Sequence, residues 1–159
     1  MAFAALVDSD GPAAYRLARA ILGSSGDAEE AVQDAFVHAW RDLPRLREPA
    51  SWPTWFRRIT VRAAVDRGRR RSRIREIDLG SVEPPAQFGA SAAVADRDDV
   101  ERTLRALPPD DRALLALRFL ADLEVDDVAR ALGIPAGTVK SRLSRLIARL
   151  RAAETGGRE

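Results

Sequence analysis

The residues with the clearest chemical pattern lie in one short stretch near the C-terminus. The stretch "ALGIPAGTVKSRLSRL", residues 131–146, contains Lys140, the only lysine among the 26 basic residues of the chain. On a helix, small and cationic side chains of this stretch share one outward arc. Such groups can donate hydrogen bonds to phosphates and to guanine O6 and N7 without obstructing entry into a major groove. The pattern predicts a nucleic-acid contact, and the alternative is a helical hairpin with a solvated basic face.

Two short helices, residues 124–132 and about 135–152, are predicted to hold this arc in place. Gly133 between them suits the left-handed turn of a helix-turn-helix. Ala129 is small enough for the two helices to cross closely, and Val139 supplies an apolar side chain on the inner side. The inward positions that continue the 3.6-residue period are Leu143, Leu146, Ile147 and Leu150.

A basic segment in the first half of the chain has a second chemical pattern. Between Phe56 and Arg75 there are nine arginines and one acid, Asp66, which favours an anionic partner. Trp52 and Trp55 lie just upstream. Aromatic rings beside arginines can stack single-stranded bases while the cations hold the backbone. Two tryptophans at helical spacing are more often part of a buried core, and RNA or acidic lipid would also suit the basic segment with its aromatic rings.

The composition predicts an all-α protein with two small helical domains joined by a flexible linker, the second containing the helix-turn-helix. Alanine, leucine and arginine dominate the 159 residues, and alternating strand patterns are scarce. We place the first domain at residues 1–75 and the second at residues 99–159. The intervening residues 76–98 contain prolines, glycines and small residues without a helical period.

The second helix of the first domain is predicted to be amphipathic. Asp27 is expected to cap it, with Glu30 three residues later. Its buried stripe is predicted to be Val32, Phe36, Ala39 and Trp40, with Ala31 and Ala35 beside it. The opposite, polar face carries Glu29, Gln33, Asp34 and Arg41, and from the residues alone this face is either a solvated surface or an interface.

Several classes of function are disfavoured. There is no cysteine and only one histidine, His38, so no catalytic residue, metal site or cofactor is expected. No stretch reaches the roughly 18 apolar residues of a membrane span, and no signal peptide is recognisable, so we expect a cytoplasmic protein without membrane insertion.

Taken together, these features resemble a bacterial RNA polymerase sigma factor of the extracytoplasmic-function (ECF) group, which retains only regions 2 and 4. "GDAEEAVQDAFVHAW" is similar to region 2.2 and "ASWPTWFRRITVRAAVDRGRRR" to regions 2.3–2.4. "LRALPPDDRALLALRFLADLEVDDVARALGIPAGTVKSRLSRLIARLR" is similar to region 4. Three positions depart from the family's frequent pattern: Arg62 replaces an asparagine, "LREPAS" replaces the usual loop, and Glu124 replaces a Ser/Thr cap.

The resemblance implies a role for each candidate residue. Docking on the clamp helices of the polymerase's largest subunit would use Glu30, Gln33, Asp34 and Arg41. Binding and melting of the −10 element would use Arg47, Trp52, Trp55, Phe56, Arg58, Arg62, Arg69 and Arg70. Reading of the −35 element would use Lys140, Ser141, Arg142, Ser144, Arg145 and Arg149.

The implied partners are bacterial core RNA polymerase, through its clamp helices and flap, and both double- and single-stranded promoter DNA. An anti-sigma factor is a further partner that is frequent in the family. Two alternatives remain at this point. The chain could be a free-standing DNA-binding regulator in which residues 99–152 act alone, or it could be an enzyme, which no residue pattern supports.

Overall fold

The computed structural model describes residues 2–78 and 95–156, and side chains throughout except those of residues 95–98. Within these ranges the chain is all-α, which confirms the predicted class. The helices are α1 (Phe3–Leu22), α2 (Ser25–Asp42), α3 (Trp52–Ile77), α4 (Ala95–Ala106), α5 (Pro109–Leu115), α6 (Val125–Leu132) and α7 (Ala136–Gly156). Two 3₁₀ turns (Leu43–Arg45 and Pro49–Ser51) connect α2 to α3, and a π-helical turn (Ala116–Leu120) extends α5.

Helix occupies both ends of the segment predicted as a linker, residues 76–98. Helix α3 continues to Ile77, and α4 already begins at Ala95. The central part of that prediction, residues 79–94, lies outside the described residues.

The cap of α2 differs from the prediction. Ser24, not Asp27, is the N-cap residue, and its Oγ accepts a hydrogen bond from the backbone N–H of Asp27 at 3.4 Å. A serine in the extended conformation satisfies a free N–H of the first turn in the same way that aspartate would. The Asp27 carboxylate is therefore free to pair with arginines of α3.

The buried face of α2 consists of alanines rather than of the predicted larger side chains. Ala28, Ala31, Ala35 and Ala39 are fully buried. Small side chains let α1 and α3 approach α2 closely, and Val32 and Phe36 only flank this contact. The expectation that Trp40 belongs to the buried stripe was wrong, because its side chain is 58% exposed.

Helices α1, α2 and α3 form a bundle with an aromatic cluster at one end. Trp52 and Phe56 are buried there and stack in parallel, with ring centroids 4.9 Å apart. Phe3 meets the Trp52 ring edge-on, and the indole Nε1 of Trp52 donates a hydrogen bond to Asp10 Oδ2 at 2.9 Å. This cluster fixes the start of α3.

The C-terminal helices pack directly on this bundle. Helix α5 contacts both α1 and α3, and α6 contacts α3. One continuous core therefore joins the halves and includes Ile21 and Val61 from the first half and Leu114, Leu117 and Val128 from the second. The two helical domains expected from the sequence are present, but they lie against each other in this structure.

The helix-turn-helix has the predicted geometry. Gly133 ends α6 with φ of 68°, in the left-handed region, and its N–H donates to the carbonyl of Ala129. Val128 on α6 and Val139 on α7 are completely buried, which holds the two helices together. Glu124 occupies the N-cap position of α6 without making a side-chain cap hydrogen bond.

Candidate nucleic-acid and polymerase interface

Helix α7 exposes the residues predicted to read DNA. Its buried side is formed by Val139, Leu143 and Leu146, and this pins the rotation of the helix. The outward side chains are those of Lys140, Ser141, Ser144, Arg145 and Arg149, with Arg142 half-buried on the flank. Donors on one exposed helix face, with small serines between them, can enter a major groove.

A cleft of about 610 Å³ runs beside this face. Arg142, Arg145 and Arg149 of α7 line it together with Arg69 of α3 and with Asp110 of α5. Arg69 Nε donates to Asp110 Oδ2 at 3.0 Å, and the hydrogen bond and charge of Asp110 raise the pKa of Arg69. Arg69, which was predicted to contact the −10 element, therefore forms an ion pair with a carboxylate from the other half of the chain.

A second, larger cleft of about 780 Å³ lies between α2 and α3. It brings together cations from the set predicted to bind the −10 element and polar residues from the set predicted to bind polymerase. The lining includes Arg58, Arg62, Arg70 and Trp55 from α3 and Asp34, His38 and Arg41 from α2. The three arginines are exposed, so phosphates can reach them from solvent.

Three acids of α2 contact one arginine of α3. The Arg67 guanidinium contacts Glu30 directly, Asp34 at 3.6 Å and Asp27 at 3.5 Å. Arg67 is largely buried, whereas Asp34 remains 54% exposed. The pairing orients Asp34 on the surface and lowers the net negative charge that α2 presents, while Gln33 beside it is exposed.

The three predicted stacking residues do not share one environment. Trp52 and Phe56 are only 5% and 4% exposed, so neither ring face is accessible to a base in this structure. Their periodicity on α3 turns both rings into the bundle, where Trp52 meets Phe3 of α1 and Phe56 stacks on Phe36 of α2. Trp55 is half-buried and faces the α2–α3 cleft, which leaves it as the accessible ring of the three.

Arg47, the remaining residue of the predicted −10 set, is exposed on the loop between the two 3₁₀ turns. This loop leads directly into α3 at Trp52.

The sequence analysis missed several exposed apolar side chains. Trp40 and Val37 lie on the outer side of α2, beside Gln33 and Arg41. The signal for them was available, because four alanines at helical spacing already account for the buried face.

A further apolar surface lies on the C-terminal half. Phe119 is 59% exposed at the edge of an apolar groove of about 460 Å³. Leu104 of α4, Leu115 of α5 and Leu150 of α7 line this groove. No sequence signal marked it, since the π-helical turn that rotates Phe119 outward has no periodic pattern of its own.

In residues 2–78 and 95–156, no group of three or more histidine, cysteine or acidic side chains is placed to hold a metal ion. No helix in that part of the chain is long and apolar enough to cross a membrane.

Comparison with known proteins identifies the family. Residues 6–74 match the model of Sigma-70 region 2, and residues 97–150 match that of Sigma-70 region 4. The chain is 38% identical over 136 residues to the ECF RNA polymerase sigma factor SigM of Mycobacterium tuberculosis. This alignment covers 86% of this chain and 68% of SigM. It is 31% identical over 137 residues to the RNA polymerase sigma factor SigV of Bacillus subtilis. That alignment covers 86% of this chain and 81% of SigV.

A solved structure agrees with these relationships. The sigma factor RpoE, in complex with the anti-sigma factor NepR from Bartonella quintana, superposes with a TM-score of 0.74 at 26% identity, over 95% of both chains. A sigma factor binds core polymerase and promoter DNA, so the alternative of a free-standing regulator is set aside. The chain belongs to the ECF group of bacterial RNA polymerase sigma factors, which direct the polymerase to promoters.

Proposed function

We propose a division of this activity between the two halves of the chain. Residues 1–75 dock on the polymerase and bind and melt the −10 element, residues 99–159 read the −35 element, and residues 76–98 connect them. The exposed cationic face of α7 carries this proposal. On this surface the local sequence, the turn geometry and the burial agree.

For the −35 element, the proposed contacts are Lys140, Ser141, Arg142, Ser144, Arg145 and Arg149. The Arg145 Nε lies 3.4 Å from the Ser141 carbonyl and the Ser141 hydroxyl bonds to the Thr138 carbonyl at 3.1 Å. Both interactions are solvent-exposed, so either side chain can exchange its backbone contact for a base edge or a phosphate at small cost.

For the −10 element, Arg58, Arg62 and Arg70 with Trp55 form the most accessible group. They line the α2–α3 cleft, in which cations can hold the phosphates of a single strand and one ring can stack an unpaired base. Trp52 and Phe56 act beneath this surface by fixing the start of α3. Arg47 and Arg69 would join the surface from the loop and from the end of the basic segment.

Polymerase docking is assigned to the outer face of α2. Gln33, Asp34 and Arg41 supply polar contacts, while Glu30 is more fully engaged with Arg67. Exposed Trp40 adds an aromatic anchor of the kind that dominates binding energy at protein interfaces. We assign contact with the polymerase flap to the apolar groove beside Phe119.

We further propose that the chain acts in the cytoplasm, as a subunit without an active site of its own. An anti-sigma factor is a candidate partner, because the superposable RpoE chain was solved in complex with one.

The test is co-elution of the purified chain with bacterial core RNA polymerase on a sizing column. Asp34→Arg reverses a charge in the centre of the docking face, and Trp40→Ala removes the proposed anchor. Asp8→Arg is the matched control, because it makes the same charge change at an exposed position of α1. We expect the first two variants to associate with core polymerase at least about tenfold more weakly than wild type. The control should associate as strongly as wild type.

Thermal unfolding accompanies each variant, since Asp34 also contacts Arg67. If wild type and control fail to co-elute with core polymerase, the docking role is refuted. If Asp34→Arg and Trp40→Ala co-elute like wild type, the polymerase contact lies on another surface.

A further inference from the structure

The apolar groove beside Phe119 contains a cationic group whose burial is not compensated. Arg112 of α5 lines this groove together with apolar side chains of α4, α5 and α7. The Arg112 Nε is buried and has no hydrogen-bond partner within residues 2–78 and 95–156. Burial, followed by the positive charges of Arg75 and Arg71, lowers the pKa of Arg112. A buried polar group without a partner is unfavourable, and this one also carries a charge.

The two other charged residues that line the groove pair with each other. Arg105 Nη2 lies 3.6 Å from Glu101 Oε2, and both residues belong to α4. Arg112 instead lies beside the C-terminal end of α1, where a Cβ on Gly23 would be 3.7 Å from Arg112 Nη1. The partial negative charge of a helix C-terminus favours a cation at this place, but it does not replace a full negative charge. The groove therefore presents one uncompensated positive charge.

The walls around this charge are apolar and have room for a small molecule. Leu104 and Leu150 supply aliphatic surface, and the exposed Phe119 ring lies at the edge. The volume of about 460 Å³ falls within the range of about 300–1,000 Å³ that is typical of small-molecule sites. Such sites combine a hydrophobic lining with a few polar groups that orient the ligand. Here Arg112 is suited to be the orienting group.

We propose that this groove binds a small amphipathic carboxylate, with the carboxylate on the Arg112 guanidinium and the alkyl chain along the leucines. A guanidinium is planar and can donate two parallel hydrogen bonds to one carboxylate. The alkyl chain removes apolar surface of the walls from water. Because the ligand supplies the negative charge that Arg112 lacks, an acid should bind more tightly than a neutral compound of the same length.

The same groove is the surface that we assign to the polymerase flap. A chain whose groove holds a carboxylate cannot offer that surface to the flap, so the ligand should weaken association with core polymerase. This consequence rests on the proposed function, whereas binding of the carboxylate itself does not.

Decanoate is the probe, and equilibrium dialysis against the full chain, below the concentration at which decanoate forms micelles, measures its binding. We expect one saturable site per chain. Octanoate lacks two methylene groups and should bind about fifteenfold more weakly, since each buried methylene contributes about fourfold. Decanol has the same chain length without the charge. It should bind at least about tenfold more weakly than decanoate, because hydrogen bonds between charged groups are the stronger ones.

Two substitutions separate the charge from the apolar walls. Arg112→Met removes the guanidinium but keeps an unbranched side chain, so it should weaken decanoate binding at least about tenfold without weakening decanol binding. Ala20→Phe fills the groove from an exposed position of α1 and should weaken binding of both compounds. The matched controls are Arg102→Met, at an exposed arginine of α4 that does not line the groove, and Ala5→Phe, at an exposed alanine of α1 away from it.

Dialysis of these variants decides whether Arg112 holds the carboxylate. Absence of saturable decanoate binding to the wild-type chain would overturn the proposal, and so would equal decanoate affinity of wild type and Arg112→Met. If circular dichroism shows that Arg112→Met is unfolded at the assay temperature, unchanged decanoate binding by Ala20→Phe would overturn it. Saturating decanoate that leaves co-elution with core polymerase unchanged would refute the assignment of the flap to this groove, while dialysis would still report the carboxylate site.

Discussion

Replacing Trp52 with alanine distinguishes a core role from a direct DNA contact. The Trp52 ring is 5% exposed, stacks on Phe56 at 4.9 Å and donates a hydrogen bond to Asp10 at 2.9 Å. Removing a buried tryptophan typically costs about 3–5 kcal/mol of unfolding free energy. For a chain of this size each kcal/mol lowers Tm by about 2–4 °C, so Trp52→Ala should lower Tm by about 6–20 °C.

Trp55 is the matched comparison, because it lies three residues later and is half-buried in the α2–α3 cleft. Trp55→Ala should lower Tm by only about 2–4 °C, the equivalent of about 1 kcal/mol, and yet impair promoter melting more strongly. Trp52→Phe keeps a ring but removes the indole N–H, and it should cost about 0.5–1.5 kcal/mol.

The assay pairs thermal unfolding by circular dichroism with permanganate reactivity of unpaired thymines in the promoter complex. Promoter melting is measured at a temperature where every variant is folded. We expect Trp52→Ala to lose stability and, once folded, to melt DNA better than Trp55→Ala does. The reasoning would be refuted if Trp52→Ala shifted Tm by less than about 2 °C while abolishing permanganate reactivity.

Two further predictions concern the C-terminal half. Lys140→Ala and Arg145→Ala should each reduce −35-dependent transcription without weakening core polymerase binding, and each lost phosphate contact should lower the slope of log affinity against log salt by about 0.9. Unchanged promoter output would remove these residues from the reading surface. Gly133→Ala places a side chain at φ of 68° and should cost about 1–2 kcal/mol in thermal unfolding, whereas Gly137→Ala, in ordinary helical geometry, should not destabilise the chain. Equal Tm values for these two variants would contradict the turn argument.

The helix-turn-helix shows how much local sequence can decide. Gly133 needs a left-handed conformation because of the turn that follows α6, and the period of Val139, Leu143 and Leu146 determines which side of α7 is buried. Both are properties of neighbouring residues. The exposed positions of Lys140 and Arg145 follow from them, so this part of the candidate site was predictable.

The N-terminal half shows where local patterns are insufficient. The period of α2 allows either an alanine face or a wider apolar stripe to be buried, and the close approach of α1 and α3 selects the alanines and leaves Trp40 outside. The same kind of choice turns Trp52 inward and Trp55 towards the cleft. Aromatic spacing alone is compatible with both outcomes.

The sequence by itself determined the all-α class, the family and the exposed cationic face of α7, because helix periods, turn residues and short motifs act over a few positions. Only the tertiary structure decided that α5 packs on α3, that Gly68 leaves space for the Pro109 ring, and that Asp110 forms an ion pair with Arg69. These contacts join residues about 40 positions apart. The apolar face of a helix indicates that another element must cover it, but it does not indicate which element does so. No local sequence pattern could therefore predict these long-range contacts.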